Sequence, residues 1–81
     1  MKIRLKIVSP AGILADVTCD SVRLPVSDGG GCGIKPGHAP ELISLGAGIV
    51  SASLDGKEVI SREIPSGIAS VMPDSVSVIT E

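Results

Sequence analysis

Lys2-Ile3-Arg4-Leu5-Lys6-Ile7 alternates without a fault: aliphatic side chains at 3, 5 and 7 fall on one side of an extended chain, basic ones at 2, 4 and 6 on the other. A period of two marks a β-strand buried on one face only. A strand is therefore predicted at the very start of the chain. Ser9-Pro10-Ala11-Gly12 breaks it, and Ile13 to Val17 resumes an extended, apolar-rich run after the turn. Val22, Arg23, Leu24, Pro25 and Val26 alternate again, so a third strand should end near the proline.

The second half repeats this pattern. Leu42 to Leu45 and Ile49 to Leu54 are short strand candidates parted by Gly46-Ala47-Gly48. Asp55-Gly56 suits a two-residue type I′ hairpin, whose central positions both need positive φ. Lys57 to Ile64 should be the returning strand. Ile68 to Met72, a Pro73-Asp74 turn, and then Val76, Val78 and Thr80 on one face with Ser75, Ser77 and Ile79 on the other predict a closing hairpin. Many short strands, frequent turn signals and no window with a 3.6-residue period give an all-β sandwich or barrel, read as one domain over residues 1–81.

Composition narrows the function. The 81 residues are 43% hydrophobic with no Phe, Trp or Tyr, so Val, Ile, Leu, Met and Ala must fill the core. A chain this short buries only about 60% of its unfolded surface, which favours working against a larger partner that stabilises the folded state. Nine acids against seven bases leave a charge of −2, no footprint for a phosphate backbone, and the missing rings remove the stacking platform of single-strand binders. Nucleic acid is not an expected partner. No apolar run approaches the ~18 residues of a spanning helix, and the basic N-terminus lacks the apolar stretch of a signal peptide. The chain reads as cytosolic, docked at most peripherally on a membrane complex. Cys19 and Cys32 are too few for a disulfide framework and are taken as reduced thiols.

From Ser27 to Pro40 the composition changes to Asp, two prolines and four glycines in the five positions 29 to 33. These residues cannot hold a helix or a central strand and predict one long functional loop. A phosphate-binding loop is suggested by the glycines and Lys35, yet Lys35 stands between Ile34 and Pro36 with no helix to open. Cys32 and His38 could pair for thiol catalysis, but no third group orients the base, and His38 is read as ordering the loop through hydrogen bonds. One His and two Cys at these spacings do not make a metal site, and no cofactor is expected. The stripe Lys2, Arg4, Lys6 is read as solvated charge guarding an edge strand, and Cys19 as a small, partly buried apolar residue. Lys57, beside the Asp55-Gly56 turn, raises a lipoyl- or biotinyl-type carrier as an alternative, although the flanking residues of a carrier lysine are absent. A generic sandwich adaptor is another. Pro36 and Pro40 bracket Gly37 and His38, fix φ at both ends and lower the entropy lost when the loop docks.

Pro36-Gly37-His38-Ala39-Pro40, followed by Leu42, Ser44, Leu45 and Gly48, resembles the ε subunit family of F-type ATP synthases. The likeness continues in the same order through Ile7-Val8-Ser9-Pro10 before Gly12, Val22, Leu24 and Pro25, and Ser66-Gly67-Ile68-Ala69 with Val71, Pro73, Asp74, Val76 and Val78. It departs where family members carry an acidic residue and a Phe or Leu; here Gly31 and Cys32 stand in those places. The resemblance implies a flattened sandwich of two antiparallel sheets without significant helix. It also implies a non-catalytic place in the rotor at the foot of the central stalk, against the γ subunit and the c-ring. The location implied is the cytoplasmic side of a bacterial inner membrane. The family's inhibitory C-terminal helices have no counterpart in these 81 residues. Asp28, Gly31, Cys32, Gly33, Pro36, Gly37, His38, Ala39 and Pro40 are the expected contact residues; no small-molecule substrate is implied.

Overall fold

The computed structural model describes residues 1–81. Nine strands form in order: β1 Ile3–Ser9, β2 Gly12–Cys19, β3 Ser21–Pro25, β4 Gly31–Ile34, β5 Glu41–Leu45, β6 Gly48–Leu54, β7 Lys57–Ile64, β8 Gly67–Met72 and β9 Ser75–Thr80. They build a five-stranded sheet in the order β2-β1-β9-β8-β5 and a four-stranded sheet in the order β4-β3-β6-β7. Alternate residues of each sheet point into the space between them. Ile3, Leu5 and Ile7 of β1 meet Val76 and Val78 of β9, Val22 and Leu24 of β3 and Val50 of β6 in one aliphatic core. Thr80 continues the buried face of β9, and its hydroxyl donates to the Ser66 carbonyl at 2.6 Å, so this buried polar atom is satisfied.

Asp55 and Gly56 take φ of 53° and 80°, the left-handed pair that a type I′ turn demands, and β6 and β7 flank it as expected. The pairing slips by one residue between Ala52 and Ser53, where Val59 is the extra residue on β7. At one corner the sheets are joined: Val26 bridges to Leu45, with Ser27 N–H donating to the Ser44 carbonyl at 3.0 Å and Gly46 N–H to that of Pro25 at 2.9 Å.

Two sequence expectations need correction. The ladders are antiparallel with one exception, β1 against β9, which run parallel from Arg4↔Ser75 to Val8↔Ile79. That pairing places β1 inside its sheet, so the Lys2-Arg4-Lys6 stripe guards no edge. It lies on the outer face, where the Arg4 guanidinium donates to both Asp16 carboxylate oxygens, Nε at 2.7 Å and Nη2 at 2.8 Å. Each partner favours the other's charge: hydrogen bonding to Asp16 holds the Arg4 pKa up, and hydrogen bonding to Arg4 holds that of Asp16 down. The second correction concerns the loop from Ser27 to Pro40, which contains strand β4. The glycines are tolerated because β4 pairs only with β3 and is an edge.

Candidate functional site

The glycine-rich segment opens with a tight turn. Val26 N–H donates to the Gly30 carbonyl and Gly29 N–H to that of Val26, both at 3.0 Å. Asp28 Oδ1 accepts the Gly30 N–H at 2.9 Å, the short-range bond through which Asp stabilises turns. β4 then runs along β3, with Pro25 opposite Gly31, Leu24 opposite Cys32, Arg23 opposite Gly33 and Val22 opposite Ile34. Cys32 and Ile34 face inward, Ile34 fully buried and Cys32 partly, packed against the core; Gly31 and Gly33 are exposed. The inward Cys32-Ile34 pair was the available sign of a strand. It was masked because glycine carries no side chain to complete an alternation.

Past β4 the chain turns again. His38 N–H donates to the Lys35 carbonyl at 3.3 Å, and Gly37 has φ of 86°. Proline at the second position and a positive-φ glycine at the third are what a type II turn requires, and Pro36 and Gly37 supply them. Gly37 N–H donates to the Pro73 carbonyl at 2.8 Å, which ties this turn to the β8–β9 connection. The ring Nδ1 of His38 lies 2.8 Å from the Ala39 carbonyl. A carbonyl can only accept, so Nδ1 carries the proton. Nε2 then faces Glu41 Oε1 at 3.9 Å.

The expected contact residues do not gather at one spot. Asp28 sits with the Val26–Leu45 corner, at the end of the sandwich where β5 finishes. Pro36, Gly37, His38, Ala39 and Pro40 sit at the opposite end, beside Pro73 and the start of β5. Gly31, Cys32 and Gly33 connect the two ends along β4. The segment is one edge of the sandwich with a braced turn at either end. Neither ring nitrogen of His38 bonds to a thiol, since one faces Ala39 and the other Glu41. Lys57 lies in the ladder opposite Leu54 rather than at the turn tip where a carrier lysine would stand. Sequence reading missed Pro73 and Glu41 as partners of the Pro36–Pro40 turn. Pro73 signals a turn in the sequence, but nothing local links two segments this far apart in the chain.

This arrangement can be set against known proteins. Residues 2–81 match the family described as ATP synthase, Delta/Epsilon chain, beta-sandwich domain. The ATP synthase epsilon chain of Leptospira interrogans is 31% identical over 80 residues, covering 99% of this chain and 61% of that relative. The ATP synthase epsilon chain of Rickettsia bellii is 31% identical over 81 residues, covering 98% of this chain and 74% of its own length. The chain thus spans about three-fifths of the Leptospira relative. Among solved structures, a chain in the cryo-EM structure of the Euglena gracilis mitochondrial ATP synthase, OSCP/F1/c-ring, superposes with a TM-score of 0.84 at 21% identity, over 98% of this chain and 50% of that one. A chain of the Tetrahymena thermophila mitochondrial ATP synthase central stalk and c-ring gives 0.74 at 13% identity, over 99% and 63%. These two show the shared fold. From the match along residues 2–81 and the identity to the Rickettsia and Leptospira proteins, the chain belongs to the ATP synthase delta/epsilon chain family, as its β-sandwich domain.

Proposed function

We propose that the chain is a non-catalytic subunit of the central stalk of an F-type ATP synthase, one that couples proton flow through the c-ring to rotation of γ and so to ATP synthesis. The family match along the chain carries this reading. The braced edge supports it. A bearing surface that must pass torque gains from turns that are already ordered, because little entropy is then lost on docking. Pro36 and Gly37 fix the type II turn, His38 ties to Ala39, and Gly37 ties the turn to Pro73. In this reading the edge from Asp28 to Pro40 meets γ and the c-ring, and the sandwich acts as one unit, peripheral to the cytoplasmic face of a bacterial inner membrane. The described residues contain no helix, so we assign them to coupling and not to inhibition by a helical arm.

The test is complex formation with purified γ, followed by size exclusion with detection at peptide-bond wavelengths, since the chain has no Trp or Tyr. A stoichiometric complex, and crosslinks from the Pro36–Pro40 turn to c subunits in a reconstituted rotor, are expected. Failure to bind γ, or turnover of a substrate by the purified chain alone, would refute the assignment.

A further inference from the structure

The β6–β7 turn holds the one residue other than glycine with positive φ, Asp55. Its own N–H donates to Asp20 Oδ2 at 3.1 Å, which anchors it to the β2–β3 connection. The rest of the dipeptide is free. The Asp55 carboxylate accepts no hydrogen bond from the protein, and the Gly56 N–H donates none. Both residues are exposed, and nothing lies within 4 Å of where a Gly56 Cβ would stand. Asp28-Gly29, the other Asp-Gly pair in the chain, is arranged in the opposite way: Asp28 Oδ1 accepts the Gly30 N–H, and the Gly29 N–H donates to the Val26 carbonyl. One pair is tethered at both groups that could react together, the other at neither.

From this contrast we infer that Asp55-Gly56 is a covalent modification site, at which the main chain isomerises to isoaspartate and so becomes a methyl acceptor for an isoaspartyl methyltransferase. The isomerisation needs only water. The Gly56 nitrogen attacks Cγ of the protonated Asp55 side chain; the N–Cγ bond forms, the Cγ–OH bond breaks, and the hydroxyl leaves as water with the amide proton, giving a five-membered succinimide. Water then adds at the Asp55 main-chain carbonyl carbon and the bond from that carbon to the Gly56 nitrogen breaks. The chain now runs through Cγ and carries a free α-carboxylate, the group that is methylated. Glycine favours the attack because no Cβ stands beside its nitrogen. Position favours it as well. β7 is an edge strand, and only Leu54↔Lys57 and Ser53↔Glu58 pair between the turn and the register slip, so the tip opens at little cost. The product has a structural consequence, because it adds one main-chain atom to a two-residue loop whose length sets the register. The tip of β6–β7 cannot reclose in the same pairing, and the anchor on Asp20 is lost.

The experiment ages the full chain at neutral pH, folded and in urea, cuts it with a glutamate-specific protease and locates isoaspartate by electron-transfer fragmentation. Asp28 falls in the fragment 1–41 and Asp55 in the fragment 42–58. In urea the two sites should react at comparable rates. In the folded chain Asp55 should react at least about tenfold faster than Asp28, whose two hydrogen bonds must break first. Methyl transfer from S-adenosylmethionine by a purified isoaspartyl methyltransferase should then label fragment 42–58. Asp55→Gly, which suits the positive φ, should fold and take no label there. The modified chain, separated by ion exchange, should melt below the fresh one. Equal rates at Asp28 and Asp55 in the folded chain, or no isoaspartate at its Asp55, overturns the inference, and a modified chain with unchanged Tm refutes the loss of hairpin pairing. None of these results bears on the rotor assignment.

Discussion

Gly67 opens β8 directly opposite Thr80, and a Cβ placed on it would stand 2.6 Å from the Ile79 carbonyl oxygen, 3.4 Å from its carbon and 3.5 Å from the Thr80 Cα. All three are backbone atoms, so no side-chain rotation relieves the contact. For Gly67→Ala the β8–β9 ladder must open locally by several tenths of an ångström, and the Thr80 hydroxyl bond to Ser66 lies at the same corner. Forcing an extra methyl into packed surroundings costs about 1–3 kcal/mol. Gly67 does not have positive φ, so the substitution also removes unfolded-state freedom, a gain of about 0.4–1 kcal/mol. The net loss is about 1–2 kcal/mol, a fall in Tm of roughly 4–16 °C for a domain this size. Gly33→Ala is the matched control, because its Cβ meets nothing within 4 Å and its φ is also ordinary; it should leave Tm unchanged or raise it slightly. Thermal and urea unfolding followed by far-UV circular dichroism measure both. If Gly67→Ala proves as stable as Gly33→Ala, the close approach of β8 to β9 is wrong.

Three further outcomes follow from single contacts. Thr80→Val keeps the shape but deletes the 2.6 Å bond to Ser66, and should lower stability by about 1 kcal/mol in the same unfolding assay. Asp16 titrates below the usual carboxylate value because of its hydrogen bonds to Arg4. Its contribution is therefore present above the unfolded-state pKa of about 3.9 and disappears as pH falls through the lower folded value; Asp16→Asn should flatten the acid limb of stability against pH. Carbon NMR should find the Asp16 midpoint raised in Arg4→Met. Burial pushes the Cys19 thiol up, and its Sγ sits 3.5 Å from the Ile3 carbonyl, whereas Cys32 is half-buried. Alkylation of the native chain should add one label, at Cys32, and a second only in denaturant, as counted by intact mass.

Strand identity was legible wherever side chains alternated. Ile3, Leu5 and Ile7, and Val76, Val78 and Thr80, face inward as their spacing predicts, and Asp55-Gly56 announced its own turn. Strand neighbours were not legible, because pairing is decided by contacts between distant segments that leave no mark on either one. The basic stripe of β1 has the look of an edge guard in the sequence, yet β9 occupies the far side of that strand. For the site, Pro36–Pro40 could be recognised as a stiff turn, but its anchor on Pro73 could not. That Asp28 lies at the other end of the sandwich depends on β4, which the glycines concealed.

The parallel union of β1 and β9 has a mechanical consequence. These strands run in the same direction, so tension applied between the two ends of the chain acts along the ladder joining them, from Arg4↔Ser75 to Val8↔Ile79. Its rungs lie crosswise to such a pull and share the load, so they must give way together, whereas an end hairpin would peel open rung by rung.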